Sequence, residues 1–530
     1  MHYVIGSGPA GISCVQALVA AGKRVTILDS GLQLDVGRRD AIRNLAALGS
    51  ANWTPAATAF LREGISSSAS GIPLKLAYGS DYAYRQVAGA TSLVCDGAET
   101  KPSYARGGLS TVWGSAILPY RQCDIEDWPI SIKDLEPGYR AVLQWMPISA
   151  RNDDLSQFFP LYVDQCASLS ASRQASGLLA DFQRNRTTLN ANGVYFGSSR
   201  LAVDADGHRA QSACVQCGLC MYGCPHGLIY SSDHTLASLI SNGQIDYKAG
   251  VTAQSVTETN AGVVIHAIDL DGNPVEFDAE RVFLGAGVLN TTAILLRSLG
   301  MYGRPVPILD SQYFLLPLLR LRGTPNVVRE PLHTLAQLFV EIFDDSISAH
   351  GIHLQAYTYN ELFREPVLAA LGPLKSIFPI EAFLGRLMLF QGYLHSADSS
   401  RITATLERHQ NGDTLMLHSV ADPQTKRLVR KLAIKLLRLR SNTGVIPLMP
   451  MLQMGKPGRG FHSGGSFPMS ATPKTGETDI LGRPKGFQRV HAIDSSVLPS
   501  IPATTITYTV MANAYRIGRA AVTETNGSIK

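Results

Sequence analysis

Met1-His-Tyr-Val-Ile5-Gly6-Ser-Gly8-Pro-Ala-Gly11 opens the chain, and its reading decides the fold. Five mostly apolar residues predict a short strand, the spacing Gly-x-Gly-x-x-Gly follows at once, and an apolar run through Ala21 predicts a helix. Each glycine has its own duty in such a unit. Gly6 permits the tight turn, Gly8 lets backbone approach a pyrophosphate, and Gly11 lets helix and strand pack closely. The first helical amides and the helix dipole then meet the phosphates. A second strand, Arg24-Val-Thr-Ile-Leu28, ends in Asp29, placed to accept from a ribose hydroxyl, with Ser30 beside it. A lone glycine triplet is weak evidence, but this one sits in strand–turn–helix context. It predicts a dinucleotide fold.

Working outward, four further blocks carry glycine or strand-end chemistry. Arg106-Gly107-Gly108-Leu-Ser110-Thr-Val-Trp113-Gly114 is a glycine-rich loop, which ordinary turn chemistry also explains. Val282-Phe-Leu-Gly285-Ala286-Gly287 reads as a strand running into glycines that admit a close helix. Arg489-Val-His-Ala-Ile-Asp494-Ser-Ser-Val497-Leu-Pro499 exposes a carboxylate and small polar groups at a strand end, where open α/β sheets hold their ligands. A capping aspartate before a turn is the plainer reading of Asp494. The fourth block is Tyr508-Thr-Val-Met-Ala-Asn-Ala-Tyr-Arg-Ile-Gly518, a helix. Asp271-Gly272-Asn273 between alternating apolar runs predicts a hairpin turn without chemistry.

In these blocks, and in Asp127-Trp-Pro-Ile-Ser131 with Asp134-Leu-Glu-Pro137, the chain resembles the glucose–methanol–choline (GMC) oxidoreductase superfamily. It is nearest in look to the pyranose oxidase and FAD-dependent sugar dehydrogenase branches. About residues 300 to 455 stay unmatched. The resemblance implies FAD held by Gly6, Gly8, Gly11, Asp29, Ser30, Gly107, Gly108, Ser110, Trp113, Gly114, Val251, Gly285, Ala286, Gly287, Asp494, Val497 and Thr505. In covalent-flavin pyranose oxidases a histidine precedes the loop tryptophan. Here that position is Val112, so non-covalent FAD is expected.

Catalysis in the superfamily resembles hydride transfer from a C–H bearing a hydroxyl, with a histidine taking the hydroxyl proton. The matching residue is His462, in Gly460-Phe-His462-Ser-Gly-Gly-Ser-Phe-Pro-Met469. A neutral imidazole suits that task; a histidine that only hydrogen-bonds a loop is the plainer reading. His491 and His395 are weaker rivals. The family's second catalytic position, usually Asn or His, falls here on Thr505, which can donate or accept a hydrogen bond but is no base near neutral pH. His462 then acts alone, or Thr505 orients the substrate hydroxyl.

Half of the eight cysteines crowd into Cys214-x-x-Cys217-x-x-Cys220-x-x-x-Cys224-Pro225. Thiolates at this spacing, with proline after the last, match the bacterial ferredoxin signature. A structural zinc site, which usually separates two pairs by a longer loop, is the alternative, and disulfides fit poorly in so tight a loop. Some GMC sugar dehydrogenases carry C-x5-C-x3-C-P around a three-iron cluster, and Cys214, Cys220 and Cys224 match that spacing. Cys217 is an extra thiol, so the cluster expected is [4Fe-4S] or [3Fe-4S], with Cys95, Cys123 and Cys166 as remote candidate ligands. Cys14 reads as helix packing.

The length prior for 530 residues is three or four domains, yet one cofactor's motifs span the chain. The expectation is therefore an α/β (α+β overall) protein with interleaved domains. A Rossmann-like FAD-binding domain takes residues 1–125, 190–300 and 456–530, including the cysteine-rich loop 211–228. A substrate domain on an antiparallel sheet takes 126–189 and 301–455. The net charge of +5 is too small to imply nucleic acid. Lys426 to Arg440 predicts a basic helix near apolar stretches at 313–319 and 374–394. Its plain reading is a solvated face over core, and the alternative is peripheral contact with an anionic membrane. No signal peptide is read at Met1, so the expected compartment is cytoplasmic, with export beside a signal-bearing partner as the alternative.

The expected function is a dehydrogenase oxidising a CH–OH group of a sugar or glycoconjugate, with an iron–sulfur relay to an external electron carrier. The alternatives are an O₂-using oxidase whose cysteine site is zinc-bound or vestigial, and a flavin-dependent reductase or electron-transfer protein.

Overall fold

The buried segment His2–Ile5 is the middle strand of a parallel five-stranded sheet, and the rest of the fold is arranged around it. The computed structural model describes residues 1–64, 74–208, 212–372, 379–410 and 412–527. In the parallel sheet the order is Val490–Ala492, Arg281–Leu284, His2–Ile5, Val25–Asp29 and Asp246–Ala249. Every residue of its three central strands except Arg281 is buried, as expected where helices cover both faces. The long helix Thr507–Gly527 lies against Pro9–Ala20, so closely that a Cβ at Gly518 would stand 3.0 Å from the Cys14 sulfur. Cys14 is thus a packing residue, as read.

A seven-stranded antiparallel sheet forms the second layer. Its order is Val445–Pro447, Tyr313–Arg320, Leu387–Tyr393, Ile352–Tyr357, Leu338–Ile342 and Val194–Ser198, with Gln453–Met454 also on Tyr313–Arg320. One face is covered by Arg173–Arg184 and by Pro423–Arg438, whose Leu428, Val429, Leu432 and Leu436 are buried in that sheet's core. Asp422 caps the latter helix through the Gln424 amide at 2.8 Å, and Pro423 occupies its first turn. Lys426, Arg427, Arg430, Lys431 and Arg438 are left exposed, an ordinary amphipathic arrangement. No described helix is long and apolar enough to cross a membrane. Of the apolar stretch 374–394, residues through 378 lie outside the described ones, and Phe390 is sheet core.

A mixed five-stranded sheet joins the layers, in the order Ser463–Gly464, Val306–Asp310, Arg401–His409, Gly412–Val420 and Ser92–Asp96. Thr252–Glu258, Val263–Ile268 and Pro274–Ala279 make a small meander, with the expected hairpin turn at Asp271–Asn273. Two segments differ from the expected division. Val194–Ser198, which the boundary at 190 assigns to the FAD-binding domain, pairs with Leu338–Ile342 of the antiparallel sheet, because its buried Val194 and Phe196 complete that sheet's core. The helix Ile132–Val142 packs on Thr507–Gly527, burying Leu135, Tyr139 and Val142 in the dinucleotide core. Its capping box on Ser131 and Asp134 fixes where it starts.

Candidate active site

The first turn is built by contacts that admit no side chain. Gly6 has φ +93°, and a Cβ there would meet the Gly285 carbonyl oxygen at 2.7 Å. A Cβ at Gly11 would lie 2.0 Å from the Gly6 carbonyl oxygen. The helix Pro9–Ala20 has Gly8 at its N-cap and no capping side chain, so its leading amides remain open to an anion. Ser7 locks the turn: its hydroxyl donates to Asp29 Oδ2 and accepts the Gly107 N–H at 2.9 Å. Asp29 also accepts from the Tyr247 hydroxyl at 3.0 Å, and burial pushes its carboxyl up to about 6.

Asp494 braces the opposite wall. It accepts from the Gly287 amide at 2.9 Å, the Thr291 hydroxyl at 2.5 Å and the Ser496 amide at 3.0 Å. The last bond is the capping role, and the first two tie the strand end to the helix Val288–Ser298. Burial raises the Asp494 carboxyl while these donors oppose the shift.

A cavity of about 410 Å³ runs between these parts. Gly6, Gly8, Asp29, Ser30, Gly108, Ser110, Trp113, Gly114, Val251, Gly285, Ala286, Gly287, Asp494, His462 and Thr505 all line it. Gly11 and Gly107 stand just behind, in the backbone contacts given above. Val497 is the correction: it is fully buried among Ile493, Leu498 and Ile501 and does not line the cavity. Val112 lines the cavity beside Trp113, whose indole N–H donates to the Tyr230 carbonyl at 2.7 Å. The open amides, the glycine cradle and the wall chemistry fit a dinucleotide such as FAD.

At the other end stands His462. It follows Phe461, whose φ of +55° is a left-handed conformation that a bulky side chain rarely adopts. Its ring stacks on Tyr393 at 4.5 Å and 20°, its carbonyl accepts the Ser311 amide at 3.0 Å, and its Nδ1 is buried without a partner. Burial, with the nearby His353 assisting, lowers its pKa to about 3, so the ring is neutral at ordinary pH. Thr505 Oγ1 accepts the Leu118 N–H at 2.7 Å, leaving its own proton to donate. The rivals lie elsewhere: His491 is buried against Phe283 and the Leu481 carbonyl, and His395 stacks on His350 at 3.8 Å.

The unmatched region supplies the rest of the wall. Tyr313, Gln355, Tyr357, Gln391 and Tyr393 all face the cavity from adjacent strands. Two of these strands carry the same signal, Gln355-Ala-Tyr357 and Gln391-Gly-Tyr393. Polar residues two apart in a buried strand share one face, so the pattern sets each Gln beside its Tyr without saying what that face meets. Lys75 was also unforeseen. Its ammonium donates to the Trp113 carbonyl at 2.6 Å, and burial lowers its pKa to about 8.

The cysteine loop adjoins this site. Lys75, Ser110 and Trp113 border both this cavity and a second one that Cys220 and Cys224 line. All four thiols are free and close enough to act on one another electrostatically. Burial first, then these neighbours, pushes Cys217 up to about 12 and Cys224 to about 11. Among the described residues, however, no group of three His, Cys, Asp or Glu side chains is arranged to hold a metal. The thiols share a loop, and as folded no three of them converge on one centre.

Residues 451–514 match the family model described as GMC oxidoreductase, a span that contains His462, Asp494 and Thr505. No curated protein matches the sequence. Among solved structures, pyridoxine 4-oxidase from Mesorbium loti is similar over 98% of both chains, at 15% identity and TM-score 0.60. A formate oxidase variant from Aspergillus oryzae, made to study modification of its FAD, is similar over 99% of both chains at 14% identity and TM-score 0.61. Both resemblances run nearly end to end.

Proposed function

We propose that this chain, a GMC-family FAD-dependent oxidoreductase, dehydrogenates a CH–OH group of a sugar or glycoconjugate with His462 as base. When bound, non-covalent FAD supplies the acceptor for a hydride leaving the substrate carbon. The single observation that carries the reading is His462: a neutral imidazole lining the same cavity as the glycine cradle. In this reading the His462 imidazole takes the hydroxyl proton as the C–H bond breaks. Thr505 orients that hydroxyl with its free proton. The tyrosine–glutamine wall supports a substrate with several hydroxyls, since each phenol and amide is a hydrogen-bonding group at a buried surface.

The electron acceptor is the second half of the proposal. An iron–sulfur relay to an external carrier is supported by the cysteine spacing and by the walls that loop shares with the cavity. A metal would have to displace the thiol protons and draw the loop together, so no step is routed through it. The alternative is an O₂-using oxidase whose cysteine site is zinc-bound or vestigial. The two structural neighbours are themselves named as oxidases.

The deciding experiment is anaerobic purification with iron and acid-labile sulfide counted against FAD, followed by flavin bleaching with a panel of sugars and peroxide assay in air. Stoichiometric iron and sulfide without peroxide support the dehydrogenase. A metal-free flavoprotein that yields peroxide supports the oxidase. Failure of every sugar and polyol to bleach the flavin overturns the substrate class.

A further inference from the structure

Two buried ionisable groups beneath the cavity, Glu341 and His353, do not themselves line it. The strand register sets them in a row. Glu341 is paired with His353, His353 with Tyr393, and Tyr393 with Tyr313. Glu341 is 2% exposed and His353 fully buried. A carboxylate at that depth requires strong partners. Glu341 Oε1 lies 2.6 Å from His353 Nδ1, and the Arg121 and Arg200 guanidiniums are close enough to act on it. On the cavity side, His353 faces Tyr393, whose ring stacks at 6.3 Å, and acts electrostatically on His462.

From His353 the contacts continue toward the cavity. Its Nε2 lies 3.2 Å from the Gln355 amide nitrogen, and the Tyr357 hydroxyl lies 3.2 Å from Gln355 Oε1. Donor accounting gives the chain one direction. The Glu341 carboxylate only accepts, so Nδ1 carries the imidazole proton. A ring carrying only that proton offers bare Nε2 as acceptor, which orients the Gln355 NH₂ toward it. Gln355 Oε1 is thereby turned to Tyr357 and accepts its O–H. The only proton of Tyr357 is committed inward, and its oxygen meets the cavity as an acceptor. That oxygen stands beside the glycine-rich loop, 3.8 Å from where a Cβ on Gly114 would lie.

We propose that Glu341 and His353 are positioning residues that set the hydrogen-bond polarity of Tyr357, so that the cavity selects a substrate bearing an O–H or N–H donor there. The inference rests on reading this cavity as the substrate site. Its consequence is discrimination: an alcohol satisfies the Tyr357 oxygen, whereas a carbonyl compound leaves it unpaired and is disfavoured. With the imidazole proton on Nε2 instead, the amide would reverse and Tyr357 would turn its proton into the cavity, favouring the carbonyl.

The test uses the full-length, FAD-loaded protein labelled with ¹⁵N-histidine. The His353 signals are assigned by their loss in His353→Asn, and their shifts report the tautomer without any ligand. In parallel, binding of 1-methylcyclohexanol, which cannot be dehydrogenated at its tertiary carbon, is compared with cyclohexanone by perturbation of flavin absorbance. The expected result is an Nδ1-protonated His353 and an alcohol preference of about tenfold, the size of one hydrogen bond. Tyr357→Phe should abolish the preference with the tautomer unchanged, and Glu341→Gln should narrow it while Tyr357 is intact. An Nε2-protonated His353, or a preference that survives Tyr357→Phe, overturns the proposal. If Glu341→Gln does not fold, Tyr357→Phe and the wild-type tautomer still decide. If neither probe perturbs the wild-type flavin, the cavity reading has failed, while the tautomer separately tests the hydrogen-bond chain from Glu341 to Tyr357.

Discussion

The cofactor cradle and the tyrosine–glutamine wall border one cavity, yet they are made by opposite means. The cradle is nearly contiguous in sequence and works through backbone, with Gly6, Gly8 and Gly11 supplying room and the first helix its amides. The wall is assembled from side chains on strands scattered between Tyr313 and Tyr393, with His462 brought in from beyond them. The difference teaches that the two should fail differently. A backbone site is broken by one added methyl, whereas a side-chain wall keeps its shape and loses its chemistry.

The sharpest way to break this contrast is Gly11→Ala. Its new Cβ would lie 2.0 Å from a carbonyl oxygen that cannot swing away, so helix and strand must separate. Loss of FAD and of about 3 kcal/mol or more in stability is expected, read by flavin retention and thermal melting. Gly37→Ala is the control: nothing lies within 4 Å of that Cβ and the residue is helical, so a neutral or slightly stabilising effect is expected.

His462→Gln should act in the opposite manner, slowing substrate-driven flavin reduction by about 10²–10⁴-fold with little change in melting temperature. Stopped-flow reduction beside a melt checks both halves. Equal loss of FAD and of activity would place His462 in the scaffold instead.

Acid should sharpen the contrast next. His462 and His491 are each lowered from 6.5 to about 3 by burial. Between those values the unfolded chain binds the protons that the native state refuses, so stability rises with pH there. The contribution is fully present above 6.5 and drains away as pH falls toward 3, by roughly 2 kcal/mol per histidine at pH 5. Melting temperatures from pH 7.5 to 4.5 read this, and His491→Leu should flatten the curve. Because His462 is already neutral, flavin reduction should show no acid limb near pH 6.5.

The smallest effect belongs to Thr505→Val. It keeps the volume but leaves the Leu118 N–H without its acceptor, which costs about 1–3 kcal/mol in stability. Flavin reduction should fall by less than His462→Gln lowers it. An equal fall would make Thr505 a full partner in the proton transfer.

Legibility followed the same divide. The cradle could be read because a dinucleotide turn needs specific glycines at fixed spacing, and because strand and helix stand next to it in sequence. His462 and Thr505 were reached through the resemblance of the C-terminal blocks, and both line the cavity. Val497 was misplaced because a block's proximity to the site says nothing about which residues of a turn face inward. Glu341, His353 and the two Gln-x-Tyr strands were passed over, since in an apolar region a period of two distinguishes the faces but does not say which face meets a cavity. The cysteine loop lies between these cases. Its spacing announces metal chemistry, while the chain as folded holds the thiols near one another without a common centre.

The sequence alone settles what depends on local backbone demand: the glycine turn, the acidic strand end and the hairpin at Asp271–Asn273. These follow from sterics and hydrogen bonding within a few residues. Only the tertiary structure decided which side chains share the cavity, because that is set by strand register and sheet order across hundreds of positions. It also decided the state of His462. An imidazole's proton affinity is a property of its surroundings, and here full burial beside Tyr393 and near His353 keeps the ring neutral.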